Sequence, residues 1–173
     1  MKIFRLKSKQ ASRGFTIIEL LVAMGLFIVF MVIASGTFIR ALRTQRAIVA
    51  LIAANDNVSL SMEQMAREIR TGTSFSLSGN DLSFVNAAGV GVTYRLNPST
   101  NAIEKEKAGA NFVPITATNV KVNSLNFYLS GQLANDGLQS RITIVLSASP
   151  NVPSVLNSNI NLQTTISART LEN

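Results

Sequence analysis

Apolar and polar positions divide the chain into three stretches with different periods. Residues 20–39 contain no charge at all. Twenty residues rising about 1.5 Å each reach about 30 Å, the thickness of a bilayer's hydrocarbon core. Beyond them, Ile48, Leu51, Val58, Met62, Met65 and Ile69 recur at three- and four-residue spacings, with polar Asn55 in one expected slot. That period predicts an amphipathic helix whose apolar stripe packs against a sheet, with a surface for a partner helix as the alternative. Glu63 and Arg67 stand four apart on a different face, and Thr71-Gly72 supplies a stop, so a single helix is predicted from about Phe15 to Arg70.

After Gly72 the period becomes two. Residues 75–77 and 82–85 flank Ser78-Gly79-Asn80-Asp81, a strong turn signal, which predicts a β-hairpin. Further strands are predicted over 90–96, 102–105, 120–129, 141–146 and 160–168. Within 120–129 the apolar sets Val120, Val122 and Leu125, Phe127, Leu129 are out of phase by one residue, and a bulge near Asn123-Ser124 reconciles them. Residues 147–159 read as a loop, because Pro150 and Pro153 oppose a central strand there. The fold class is therefore α+β: a long N-terminal transmembrane helix followed by a mostly antiparallel, β-rich head.

Charge changes the picture at the amino end. The 173 residues carry a formal charge of +7, yet Lys2, Arg5, Lys7, Lys9 and Arg13 precede residue 14 with no acid among them, and without them the balance falls to +2. A basic arm before an apolar run retains that end in the cytoplasm. The high pI is thus read as topology, and nucleic-acid binding is left without support. Arg40, Arg43 and Arg46 follow the apolar run as a slowly turning ridge, either solvated beside lipid headgroups or docking an acidic neighbour or nucleic acid.

Catalytic vocabulary is thin. Neither cysteine nor histidine occurs, which excludes disulfides, thiolate metal sites and histidine-based acid–base chemistry. A serine–lysine or paired-carboxylate hydrolase would need neither, but no G-x-S-x-G string occurs. Glu104 and Glu106 alternate with Lys105 and Lys107, a pattern that fits an exposed edge strand protected by charge. Asp136 in Asn135-Asp136-Gly137 is the one acid between Lys121 and Arg141, and the tripeptide reads as a turn. No enzyme, no cofactor and no bound metal are expected.

Glu19 interrupts an apolar approach formed by Phe15, Thr16, Ile17 and Ile18, and a lone carboxylate there needs a reason. The string Arg13-Gly14-Phe15-Thr16-Ile17-Ile18-Glu19-Leu20-Leu21, after a short basic leader, closely resembles the processing site of type IV pilins and type II secretion pseudopilins. The resemblance implies that a prepilin peptidase cuts between Gly14 and Phe15 and methylates the new amine of Phe15. It also implies that Glu19 attracts the amine of an adjacent subunit during filament assembly. The simpler reading of Glu19 is that it complements the positive end of its own helix.

On this resemblance the chain divides into a leader (1–14), a membrane and assembly helix (15–40), its amphipathic continuation (41–71) and the β-rich head (72–173). The implied partners are other pilin or pseudopilin subunits, the prepilin peptidase, the assembly platform and ATPase, and membrane lipid before assembly. The implied location is the inner membrane, leader inside and head outside, then a periplasmic or surface filament. The string SLSMEQMAREIRTGTSF and the β-rich tail with its late strand NLQTTISAR resemble the J-type minor pseudopilins in particular. The lack of a proline before Pro98 leans toward a minor subunit, since major pilins and pseudopilins commonly carry one in the apolar helix. Gly25 and Gly36 either loosen the helix or let helices pack closely. A rival reading is an ordinary secretory signal cleaved near Ala34-Ser35-Gly36, which would make the rest a secreted or anchored binding module for DNA or a surface.

Overall fold

The computed structural model describes residues 14–131, 138–152 and 158–169. One helix, α1, spans Ile17–Arg70, and eight strands follow: β1 (Thr73–Ser78), β2 (Asp81–Val85), β3 (Gly91–Asn97), β4 (Ala102–Lys107), β5 (Val113–Pro114), β6 (Val120–Ser130), β7 (Arg141–Pro150) and β8 (Ile160–Ser167). The strands form two antiparallel meanders, one in the order β1-β2-β3-β4-β5 and the other β6-β7-β8. This is the α+β, pilin-like arrangement anticipated from the sequence. The chain separates into two compact units, residues 1–44 and 45–173.

In the first unit the helix buries nothing. Every residue from Ile17 to Thr44 is exposed except Ala34, which is half-buried. The helix is long and apolar enough to cross a membrane, and it runs unbroken through Gly25 and Gly36. A side chain added at either glycine would meet nothing within 4 Å.

In the second unit Ala54, Val58, Met62, Met65 and Ile69 of α1 are buried and join one hydrophobic core with the inward faces of both sheets. Val92, Tyr94 and Ile103 enter it from the first sheet, and Leu125, Ile144 and Leu146 from the second. The predicted stripe is corrected at its amino end. Ile48 is 52 % exposed and Leu51 half-buried, so packing begins at Ala54, one residue before the slot assigned to Asn55. Helical drift explains Ile48 and Asn55, which turn away from the face of 54, 58, 61, 62, 65 and 69; Leu51 shares the face of Ile69 and is half-buried with Ala47 and Ala50.

The helix stops where expected. Gly72 donates to Ile69 O at 3.1 Å, and a Cβ at Gly72 would lie 2.6 Å from the Phe84 ring, so only glycine fits beneath that aromatic. Phe84 stacks in turn on Phe75 and Tyr94. The β1–β2 hairpin turns at Gly79, whose φ of 62° suits the first position of a primed two-residue turn. The bulge in β6 falls where the phase changes, between Val122 and Ser124.

Two strand expectations fail for identifiable reasons. β7 continues through Pro150, inside the segment read as a loop. Asn151 N donates to Asn119 O at 2.8 Å, so antiparallel alternation turns the Pro150 nitrogen away from β6 and toward β8. β8 begins only at Ile160, opposite Ala148, so the missing N–H costs no ladder bond; Pro153 lies outside the described residues. The second correction concerns β4, which is not an edge, since β5 pairs with it through Glu104↔Pro114 and Lys105↔Val113. A strand of two residues leaves no periodic trace in a sequence.

Glu104 is accordingly buried, not displayed. Its carboxylate accepts hydrogen bonds from Asn97 Nδ2 (2.7 Å) and Arg95 Nε (3.0 Å), and it pairs with the Arg95 guanidinium. Asn97's hydrogen bond, and then Arg95's, hold its pKa below the ordinary value. The Arg95 guanidinium also lies 3.4 Å over the Phe112 ring, a cation–π stack that fixes it. The alternation of the strand holds, because Lys105 points to the other face and pairs with Glu68 of α1. Tyr94 donates to the same Glu68 at 2.7 Å, and burial, then that carboxylate, pushes its pKa up.

Candidate functional site at the amino end of the long helix

Gly14, Phe15 and Thr16 precede the first helical turn in non-helical conformation. Space around Gly14 is open to 4 Å where a Cβ would stand, and Phe15 is 82 % exposed, so no other described part of the chain packs over the Gly14–Phe15 peptide bond. Proteolysis requires an extended, unpacked backbone, and the helix supplies the reason for the boundary. Thr16 O accepts the first helical bond, from Leu20 N at 3.1 Å, and Thr16 Oγ1 accepts from Glu19 N at 3.2 Å.

Thr16 is therefore the N-cap, and Thr16-Ile17-Ile18-Glu19 has the spacing of a capping box, in which a Glu at the third helical position also reaches back to the cap. This role of Thr16 was not anticipated. The T-x-x-E string before an apolar run was the signal that could have shown it. It fixes where the helix begins, two residues after the Gly14–Phe15 bond, and it places Glu19 in the first turn, where the helix dipole favours a negative charge.

Glu19 is exposed and makes no ion pair among the described residues. From that point no charge appears until Arg40, and the apolar side chains between them stand out on every side of the helix. Arg40, Arg43 and Arg46 are likewise exposed and form no ion pair among the described residues. The basic residues before Gly14 and the Asn135-Asp136-Gly137 turn lie outside the described residues.

The arrangement presents an exposed peptide bond, then a capped helix with a carboxylate in its first turn, then a membrane-length apolar surface. Residues 34–36, where a secretory signal would be cut, lie within continuous helix.

The prokaryotic N-terminal methylation motif matches residues 9–35. No curated protein and no solved structure matches the chain. The motif supports a type IV pilin-like family, whose members are structural rather than catalytic, and with the apolar helix it fits a membrane-anchored, single-pass protein.

Proposed function

We propose that this chain is a filament subunit of a type IV pilus-like or type II secretion system, cut after Gly14, methylated on Phe15 and assembled through α1. The observation that carries the reading is the junction itself. The methylation motif over residues 9–35 coincides with an accessible Gly14–Phe15 bond, a Thr16 cap and a helix with no charge between Glu19 and Arg40.

On this reading the subunit waits in the inner membrane, leader in the cytoplasm and head outside. It then leaves the bilayer as its apolar surface exchanges lipid for neighbouring helices. An ionised side chain at the bilayer centre costs roughly 2.5–3.5 kcal/mol on insertion scales. Glu19 lies nearer the edge, and pairing with the Phe15 amine of a neighbour offsets part of a smaller cost. Lipid, sister subunits and the peptidase are direct partners, and the assembly platform and ATPase act on the growing filament. A minor role, in initiation or at the tip, is supported by the proline-free apolar helix, and its J-like character by the resemblance of SLSMEQMAREIRTGTSF and NLQTTISAR.

The test is intact mass and N-terminal sequence of the membrane-extracted protein with and without a co-expressed prepilin peptidase. Peptidase-dependent N-methylated Phe15 is the expected result, and a start at Thr37 would replace this reading with a secreted β-domain. Glu19→Ala is expected to leave cleavage and insertion intact while reducing incorporation into filaments, measured in sheared filament fractions. Normal incorporation would leave Glu19 with its own helix end as its only role.

A further inference from the structure

The second sheet ends on a strand that lacks the usual protection of an edge. Ala168 N donates to Ser140 O at 2.8 Å, which fixes the hydrogen-bonding phase of the β7–β8 pair. Ile166, Thr164, Leu162 and Ile160 then bond to β7. The N–H and C=O groups of Asn161, Gln163, Thr165 and Ser167 point the other way, and among the described residues nothing receives them. Natural edges of this length are blunted by charge, proline or a bulge, or are covered by a helix or loop. β8, with the sequence INLQTTIS and an unbroken register to β7, has none of the first three. Among the described residues α1 meets its edge only at Arg169, standing across an open groove from Leu162, Gln163 and Thr164.

Beside that edge runs an open groove of about 260 Å³, bounded by Leu162, Gln163 and Thr164 on one side and by Ser59, Met62, Glu63 and Ala66 of α1 on the other. Glu63, paired with Arg67, is its one charged residue among those described and disfavours an acid in the middle of an occupant. The groove is smaller than the roughly 300–1,000 Å³ of drug-sized sites. Ala66, Ile160 and Leu162 are only partly buried against the core, so a ninth strand would complete their burial.

Charge indicates the chemistry of the occupant. At the carboxyl end of β8, Arg141 lies opposite Ser167, and Arg169 donates its backbone N–H to Arg70 O at 2.9 Å. All three arginines are exposed and form no ion pair among the described residues. We infer that the free edge of β8 is a strand-addition site for an extended segment of a partner protein. That segment is alternately apolar and uncharged along its length and acidic at the end beside Arg70, Arg141 and Arg169. Main-chain bonds supply affinity, the α1 groove reads the alternate side chains, and the arginines set direction. The site is independent of processing at Gly14.

The probes are synthetic ten-residue peptides of alternating valine and threonine, with glutamate at the amino end, at the carboxyl end or absent. They are titrated against the full chain in detergent micelles, with amide hydrogen exchange as the second readout. One acid-ended peptide should bind about two- to five-fold tighter than the neutral one and slow exchange at Asn161, Gln163, Thr165 and Ser167. Methylating the peptide's edge-facing amides should abolish binding. Gln163→Pro, which removes only an outward N–H, should do the same without lowering the melting temperature of the free chain. Binding that survives both changes, or no binding by any peptide, overturns the proposal. Concentration-dependent protection of the same amides without peptide would assign the edge to a second copy of this chain and also overturn it.

Discussion

Two stretches of one helix use the same kinds of residue to opposite ends. Between Ile17 and Thr44 the leucines, isoleucines, valines and phenylalanines are exposed on every side, whereas between Gln45 and Arg70 the apolar residues that matter lie on one stripe and are fully enclosed. Apolar content alone does not separate a lipid- or partner-facing surface from a core. Periodicity does, because a helix packed on one side needs only a stripe of about 100°, while a helix in hydrocarbon is apolar all round. Polar bonds mark the same division. Asn57, Ser61 and Glu68 each tie α1 to the strand region through Ala117 N, Ile115 O and the Tyr94–Lys105 pair. Between Leu20 and Thr44 the one side-chain hydrogen bond among the described residues runs from Thr37 Oγ1 back to Ile33 O.

The largest effect is expected from exchanging equivalent truncations between the two stretches. Met65 is completely buried, and Met65→Ala should destabilise the head by about 2–5 kcal/mol, the transfer loss plus the cavity left behind. Phe30 is 65 % exposed, and Phe30→Ala removes a larger side chain yet should leave the head's denaturant midpoint unchanged. Urea titrations of both variants in micelles, followed by circular dichroism of the β-rich region, make the comparison. A head destabilised equally by both would erase the division.

A smaller loss is expected at the polar joint between helix and sheet. Tyr94→Phe deletes one hydrogen bond to a carboxylate, of the kind worth about 1.5–3 kcal/mol. The lower end applies, because Glu68 retains Lys105 and some solvent. Glu68→Ala, which leaves Tyr94 without its acceptor and Lys105 without its partner, should cost as much or more. The double variant should cost less than the two single losses combined, since both remove the Tyr94–Glu68 contact. Additive losses in this cycle would mean that the joint is held by packing alone.

Much of this was legible in advance. The extent of α1, the hairpin at Ser78–Asp81, the β6 bulge and seven of the eight strands follow from period and turn chemistry, which are local properties. What escaped were features fixed by neighbours distant in sequence. Pro150 reads as a strand breaker until the geometry of the pairing shows that its nitrogen faces past the end of β8. Glu104 reads as a surface charge until Arg95 and Asn97 of β3 surround it. At the candidate site, Gly14, Phe15 and Glu19 were singled out through a family resemblance. The Thr16 cap that organises them was visible in plain T-x-x-E spacing and was passed over.

The smallest effect is a pH dependence confined to the strand region. The carboxyl of Glu104 is held below its ordinary value of 4.5, first by Asn97 and then by Arg95. A depressed folded-state pKa contributes stability that is fully present above the unfolded pKa and is lost as pH falls through the folded one. The melting temperature of the head should therefore decline as acid is added below about pH 4.5. Glu104→Gln, which cannot ionise, should start lower at neutral pH and show a flatter acid limb. Glu63→Gln provides the contrast on α1. Its pair with Arg67 is solvent-exposed on both sides, and exposed pairs contribute little, so the acid limb should match that of the unaltered chain. If Glu104→Gln left the limb as steep as before, the acid sensitivity would belong to other carboxylates, and the Arg95–Glu104–Asn97 cluster would be a matter of packing and not of charge.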